Sequence, residues 1–453
     1  MLSRRLIVRA GPSHWRAWLI AALVCATACG GVARHPVSAG TGPDPLLPRP
    51  RGGLLPTLYV APARGWPTGR APAGPGDVVV TPFAEGLDHP RWLYLLPDGD
   101  VLVAESNAPP RPGYARGIKG WFIRRILKQT GSGVPSADRI TLLRDADGDG
   151  VAEGRYTLLD ASNGLRSPFG MALVDSVLYV GNTDALVRFP YLPGQTRITA
   201  SARTVVQLPA GRINQHWTRN LLASADGSRL YVAVGSASNV AEHGIGEEAG
   251  RAAIWEVDLE RGTHRIFASG LRNPTGMAWE PERGALWVTV NERDELGGDL
   301  VPDYMTSVQE GGFYGWPYSY FGQHVDRRVK PRRPELVRTA IVPRYALGPH
   351  TASLGLAASR PGIMPMRFSR GMFVAQHGSW NRKPPSGYRV IFVPFADGAP
   401  SGAPVDVLTG FIDEDGMAMG RPVGVLLDRR GALLVSDDVG NVVWRVSAAA
   451  PSP

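Results

Sequence analysis

From about Asp77 the chain repeats one arrangement of apolar and polar positions: a short turn, an apolar strand-length run, an Asp/Gly turn, and a second β-rich run ending in Val. The first copy is Gly86-Leu87-Asp88-His89-Pro90-Arg91-Trp92-Leu93, then Pro97-Asp98-Gly99 and Val101-Leu102-Val103. The fourth is the clearest, Gly270-Leu271-Arg272-Asn273-Pro274-Thr275-Gly276-Met277-Ala278-Trp279, then Leu286-Trp287-Val288. Further copies begin at Gly164 and Gly420, and degenerate ones at His216 and His350. Six units over about 370 residues leave about 62 for each, and a four-stranded blade needs only about 40 to 50. No linker separates the copies. The pattern therefore predicts an all-β chain with one six-bladed β-propeller over residues 77–449.

Radial repetition makes a second prediction. Equivalent positions of successive blades lie at one height around one axis, so the residues just before each repeat's Pro converge near the central channel. That slot reads Asp88-His89, Arg166-Ser167, His216, Arg272-Asn273, His350 and Arg421. Arginine and histidine together imply a basic, proton-handling pocket; the plainer alternative is that each hydrogen-bonds inter-blade carbonyls.

Composition agrees with the strands: 55 Gly and 40 Pro in 453 residues break helices too often for a bundle. The net charge of +9 includes Arg4, Arg5, Arg9 and Arg16 of an acid-free N-terminus; without them it is +5, which disfavours nucleic acid as a partner. Those arginines precede the apolar run Ala17–Ala28, and Ala26-Thr27-Ala28-Cys29 combines an A-x-A cleavage site with a lipobox-like cysteine. Residues 1–28 thus read as a signal peptide. The expectation is an exported, periplasmic or cell-surface protein with a lipid on Cys29 as its membrane contact, tethered by the Pro/Gly-rich residues 29–76. Cys25 lies inside the signal, so a disulfide is not expected.

Three segments carry a family resemblance: Leu271 to Trp279, Asn291-Glu292-Arg293-Asp294 to Asp299, and Gly311-Gly312-Phe313-Tyr314-Gly315-Trp316-Pro317. In order and spacing they resemble the soluble quinoprotein glucose/sorbosone dehydrogenases, six-bladed propellers that bind pyrroloquinoline quinone (PQQ) and calcium and oxidise aldoses or related polyols. The resemblance implies His216 as general base, Arg272 and Asn273 at the quinone carbonyls, and Arg421 on a cofactor carboxylate. Arg382 or Lys383 is the candidate for a second cationic contact; the plainer reading of that pair is an exposed turn. Val423 stands where the glucose enzymes carry another arginine. Asp294-Glu295 replaces the Gly-Pro pair whose carbonyls hold the cofactor's calcium, with Asp299 as a supporting ligand. This pattern is nearer the sorbosone-type branch.

A separate metal signal rests on its own chemistry. Asp145, Asp147 and Asp149 occupy loop positions 1, 3 and 5, with Gly150 at the sharp turn, the Val151 carbonyl at 7 and Glu153 at 9, an arrangement suited to structural calcium. The alternative is an empty acidic turn. No dinucleotide fingerprint or haem motif is present, so a reduced quinone needs a separate electron acceptor. A gluconolactonase-like propeller hydrolase and a non-catalytic cell-surface binding propeller remain as alternatives.

Overall fold

The computed structural model describes residues 32–51, 58–110, 125 and 127–449. The signal segment and Cys29 lie outside them. Six antiparallel sheets surround an axis, and their innermost strands are Pro90–Leu95, Met171–Val174, Leu221–Ala223, Asn273–Trp279, Ser353–Ala358 and Pro422–Leu427, here blades 1 to 6. Each begins within five residues of a predicted slot position. The predicted six-bladed propeller is the observed one. Blade 6 is completed by Val78–Glu85, which pairs from Val78↔Ala448 to Glu85↔Val442, so the first and last strands of the propeller share one sheet. Among the described residues, no helix is long and apolar enough to cross a membrane.

The second strand of each blade explains why the sequence reads as unbroken apolar runs. Successive side chains point to opposite faces, and here both faces are buried. Leu102 packs towards blade 2 beside Phe169 and Leu178, whereas Val101 and Val103 pack towards blade 6 beside Leu434 and Val443. The same alternation divides Leu178 from Tyr179, Leu230 from Tyr231, Val288 from Trp287, and Met372 from Phe373. The core is therefore six apolar seams between blades. Polar pins cross the seams near the axis: Ser106 Oγ donates to the Pro168 carbonyl (2.6 Å), Asn220 Nδ2 to Thr275 (2.8 Å), Thr289 Oγ1 to Leu354 (2.7 Å) and Ser436 Oγ to Arg91 (2.6 Å).

The stretch expected as a tether runs against the propeller where it is described. Thr41 and Gly42 add an edge to blade 4 opposite Leu347 and Ala346. The backbone of Arg34 and His35 donates to the Asp299 carboxylate at 2.8 and 3.2 Å. Ala73 exchanges hydrogen bonds with Thr409.

Candidate functional site at the mouth of the channel

Antiparallel pairing puts the start of each innermost strand beside the end of the second: Pro90 opposite Glu105, Asn273 opposite Asn291, Ser353 opposite Gln376, Pro422 opposite Asp437. One face of the ring is therefore built from slot residues together with the residues that leave the second strands. The backbone there is held in unusual conformations. His89, Ser167 and His350 have φ of 55°, 43° and 58°, a left-handed geometry that non-glycine residues rarely adopt and that recurs at functional sites.

Blades 3 to 5 contribute one group. His216 Nδ1 lies 2.9 Å from the Ser236 carbonyl and 3.0 Å from its hydroxyl. The carbonyl can only accept, so Nδ1 carries a proton; in the neutral ring Nε2 then holds the lone pair. The Ser236 amide donates in turn to the Arg272 carbonyl at 2.8 Å. Gly235 makes room between His216 and Asn273: a Cβ there would lie 2.5 Å from both His216 Cβ and Asn273 Oδ1. That Oδ1 is buried without a hydrogen-bond partner, although the Asn273 amide reaches Asn291 Oδ1 at 3.3 Å. Arg272 is almost wholly buried and commits its donors to Asn239 and Glu292, with Asp294 Oδ2 at 3.3 Å. Asp294 also faces His350 Nδ1 at 3.5 Å and accepts from Asn381 at 2.7 Å. Burial opposes its charge, but the His350 hydrogen bond and Arg272 outweigh it and hold the carboxyl below its ordinary pKa. Conversely, Asp294 raises the pKa of His350 against the effect of burial.

A second group closes the ring between blades 5, 6 and 1. Asp438 Oδ2 is shared by His377 Nε2 at 2.9 Å, His89 Nε2 at 3.5 Å and the Arg91 guanidinium. Burial raises a carboxyl's pKa, yet its contacts with His377, His89 and the Arg91 guanidinium outweigh burial and hold Asp438 below its ordinary range. Burial pushes His377 down to about 4, so its ring is neutral at pH 7. Arg91 also lies 5.9 Å from the ring of Trp217, the residue that follows His216, and both groups stand at the same start-of-strand end of the ring. Arg421 is fully buried between Trp380 and Tyr388; its Nη2 donates to the Ala61 carbonyl at 2.7 Å, while Nε and Nη1 have no partner among the described residues.

Of the predicted slot residues, His216, Arg272, Asn273 and His350 converge, and His89 and Arg421 border the same mouth. Arg166 instead turns outward to Asp184. Arg382 is committed elsewhere: its three nitrogens donate to the carbonyls of Gly298, Pro384 and His35. Lys383 is exposed, its ammonium 5.1 Å from the Tyr59 ring. Asp294, Glu295 and Asp299 each have partners of their own. Among the described residues their carboxylates gather around no common point; the Asp294 carbonyl accepts from the Arg328 cation at 2.9 Å, Glu295 faces the same arginine, and Asp299 binds the N-terminal backbone. The Asp145, Asp147, Asp149 and Glu153 oxygens do gather, all within 4.8 Å of one another, with the exposed Val151 in the same loop. Arg91, His377 and Asp438 were missed in the sequence. Arg91 follows Pro90 as Val423 follows Pro422, so comparing the copies position by position shows an arginine moved one blade round the ring.

These features can be compared with known proteins. The chain is 26% identical over 280 residues to aldose sugar dehydrogenase YliI of Escherichia coli K12, covering 55% of this chain and 64% of that one. Its fold is similar to the holo form of the pyranose dehydrogenase PQQ domain from Coprinopsis cinerea, with a TM-score of 0.66 and 21% identity over 86% of this chain and all of that one. It is also similar to a calcium structure of a Trichoderma reesei carbohydrate-active enzyme of family AA12, with a TM-score of 0.66 and 20% identity over 87% and 99% of the two chains. Residues 131–310 and 335–449 match the family described as TrAA12-like, and the chain belongs to that family.

Proposed function

We propose that the protein is a PQQ-dependent dehydrogenase of an aldose or related sugar or polyol. The observation that carries this reading is the end of the ring at which the His216 imidazole, its Nδ1 bonded to the Ser236 carbonyl, stands with Arg421 and Arg91, whose buried Nε atoms (and Nη1 of Arg421) have no partner among the described residues. Such orphaned donors suit a flat tricarboxylate, because guanidinium groups bind carboxylates through short charge-assisted hydrogen bonds. The sugar chemistry named for YliI and for the Coprinopsis domain supports the same reading.

In this scheme His216 Nε2 takes the proton of the sugar hydroxyl as the adjacent carbon loses hydride. PQQ, when bound, supplies the quinone that accepts the hydride. Asn273 is positioned to hydrogen-bond a ligand beside His216, and the buried Arg272 charge favours negative charge developing there. Arg272 and Asp294 also tie the loops of blades 3 and 4 together. The cofactor's carboxylates fall to Arg421 and Arg91, with Arg91 taking the place vacant at Val423. Calcium is proposed for the Asp145–Glu153 loop as a structural ion, and the Asp294-Glu295 carbonyls with Asp299 stay the candidate ligands of the cofactor's ion. We extend the proposal to export, with a lipid on Cys29 and a separate acceptor for the electrons.

The test is uptake. Apo-protein titrated with PQQ should bind it with a change in the quinone absorbance, and aldoses should then drive reduction of an artificial dye. Absence of uptake overturns the reading in favour of a lactonase-like or purely binding propeller.

A further inference from the structure

The N-terminal segment lies against Arg421 and the loops around it. Tyr59 N donates to the Trp380 carbonyl, Ala63 N to Gln129, and Arg64 N to Ala418, while Ala418 N returns a bond to Pro62, each at 2.7 Å. Trp66 Nε1 donates to Asp437 Oδ2 at 2.6 Å, and its ring meets Phe411 and Trp444 edge-on, both at 5.5 Å. Residues 58–66 thus run from the blade 5 loop across blade 6 to a loop of blade 1, with the Ala61 carbonyl on the Arg421 guanidinium.

The attachment is discontinuous. Tyr59↔Asn381 and Ala63↔Ala418 are isolated bridges, and Pro62 and Pro67 have no N–H with which to extend a ladder. Leu58 and Tyr59 are 49% and 42% exposed. A segment held by spaced single bonds, with little apolar burial outside Ala61 and Trp66, opens at a lower free energy than the blades beneath it. Its one contact with a cofactor-binding candidate takes a donor that a ligand carboxylate would use.

We propose that residues 58–66 form a latch over the carboxylate-binding end of the cofactor site. Shut, it holds Arg421 at the Ala61 carbonyl; it must lift for the polyanionic cofactor to enter or leave. The inference rests on the PQQ reading and adds to it a binding-site wall contributed by the segment ahead of the propeller.

The experiment locks the latch. Ala63→Cys with Ala418→Cys places two thiols at a bridged pair, in a full chain whose Cys25 and Cys29 are serine. PQQ binding is followed by stopped-flow absorbance. With the disulfide formed, shown by loss of titratable thiol, association should slow at least tenfold, and reduction should restore the wild-type rate. Trp66→Ala, which needs no cross-link, should accelerate both association and release severalfold with a smaller change in Kd. Equal rates for the oxidised and reduced forms, or an unchanged release rate for Trp66→Ala, overturn the latch and leave the cofactor assignment standing. Failure of wild type itself to bind PQQ overturns the assignment instead.

Discussion

At the scale of single residues, chemistry and binding fall on different side chains. His216→Ala removes the proposed base and should lower kcat by about 10²–10⁴, while PQQ uptake measured by absorbance stays close to wild type. Arg421→Ala should do the reverse, weakening PQQ binding by about 1.5–3 kcal/mol with a smaller effect on kcat at saturating cofactor. Loss of binding in the first variant, or of turnover alone in the second, would reverse the two assignments. Most of this group was legible before the fold was known, because a slot next to a repeated Pro needs only the period of the repeat. The contacts of Arg382 and Asp299 were not, since their partners lie far away at His35 and Arg34. His377 and Asp438 escaped because they leave second strands, where the reading followed only the starts of first ones.

Elements show where local spacing suffices and where it does not. The loop Asp145 to Glu153 gathers its carboxylates as its spacing predicts, since every ligand lies within one turn. Asp145 Oδ1 and Oδ2 already accept from the amides of Gly148 and Gly150, and the Asp149 carboxylate accepts from Val151, so the loop is ordered by its own backbone. An ion binding only the folded state adds about 2.7 kcal/mol at a hundredfold excess over its Kd. Chelation should therefore lower the Tm of the wild type by a few degrees and calcium should restore it. Asp147→Ala should lose that response; identical responses from both proteins would make the loop a turn without an ion. The segment ahead of blade 1 is the opposite case. Its Pro/Gly composition reads as a tether, and the contacts that dock it are short, scattered pairings and hydrogen bonds to blades 1, 4, 5 and 6, which leave no periodic trace in sequence.

For the whole molecule, the six copies were readable because each blade repeats the same two buried faces, but the closure was not: Val78–Glu85 precedes the first copy and belongs to the last blade. The seam where the ring closes is also where Asp438, His377, His89 and Arg91 meet, with Arg421 nearby, and this makes closure sensitive to acid. Burial holds the His377 pKa at about 4, below the ordinary histidine value of about 6.5. Between those values the unfolded chain binds a proton that the folded one does not, so stability falls as pH drops from about 6.5 to 4, by up to about 3 kcal/mol from this group. Asp438, held low, adds a further loss only at more acidic pH, below its unfolded pKa. Asp437, raised to about 6 by burial, works the other way, favouring the folded state most at acidic pH. Comparison with His377→Gln isolates the histidine: its Tm should fall less than that of the wild type between pH 7 and 4.5, and parallel curves would count against a neutral buried ring.

The shared sheet of first and last strands has a consequence for the life of the chain before it is a protein. Val78–Glu85 emerges from the ribosome early, but its partner Val442–Ala448 is among the last residues made. At about 5–20 residues per second the delay is on the order of tens of seconds. Throughout that interval an extended Val-rich segment has no neighbour to pair with, and any other exposed strand edge competes for it. Synthesis order thus sets a window of vulnerability that neither the number of blades nor the strength of their seams can shorten, and it closes only when the last strand arrives.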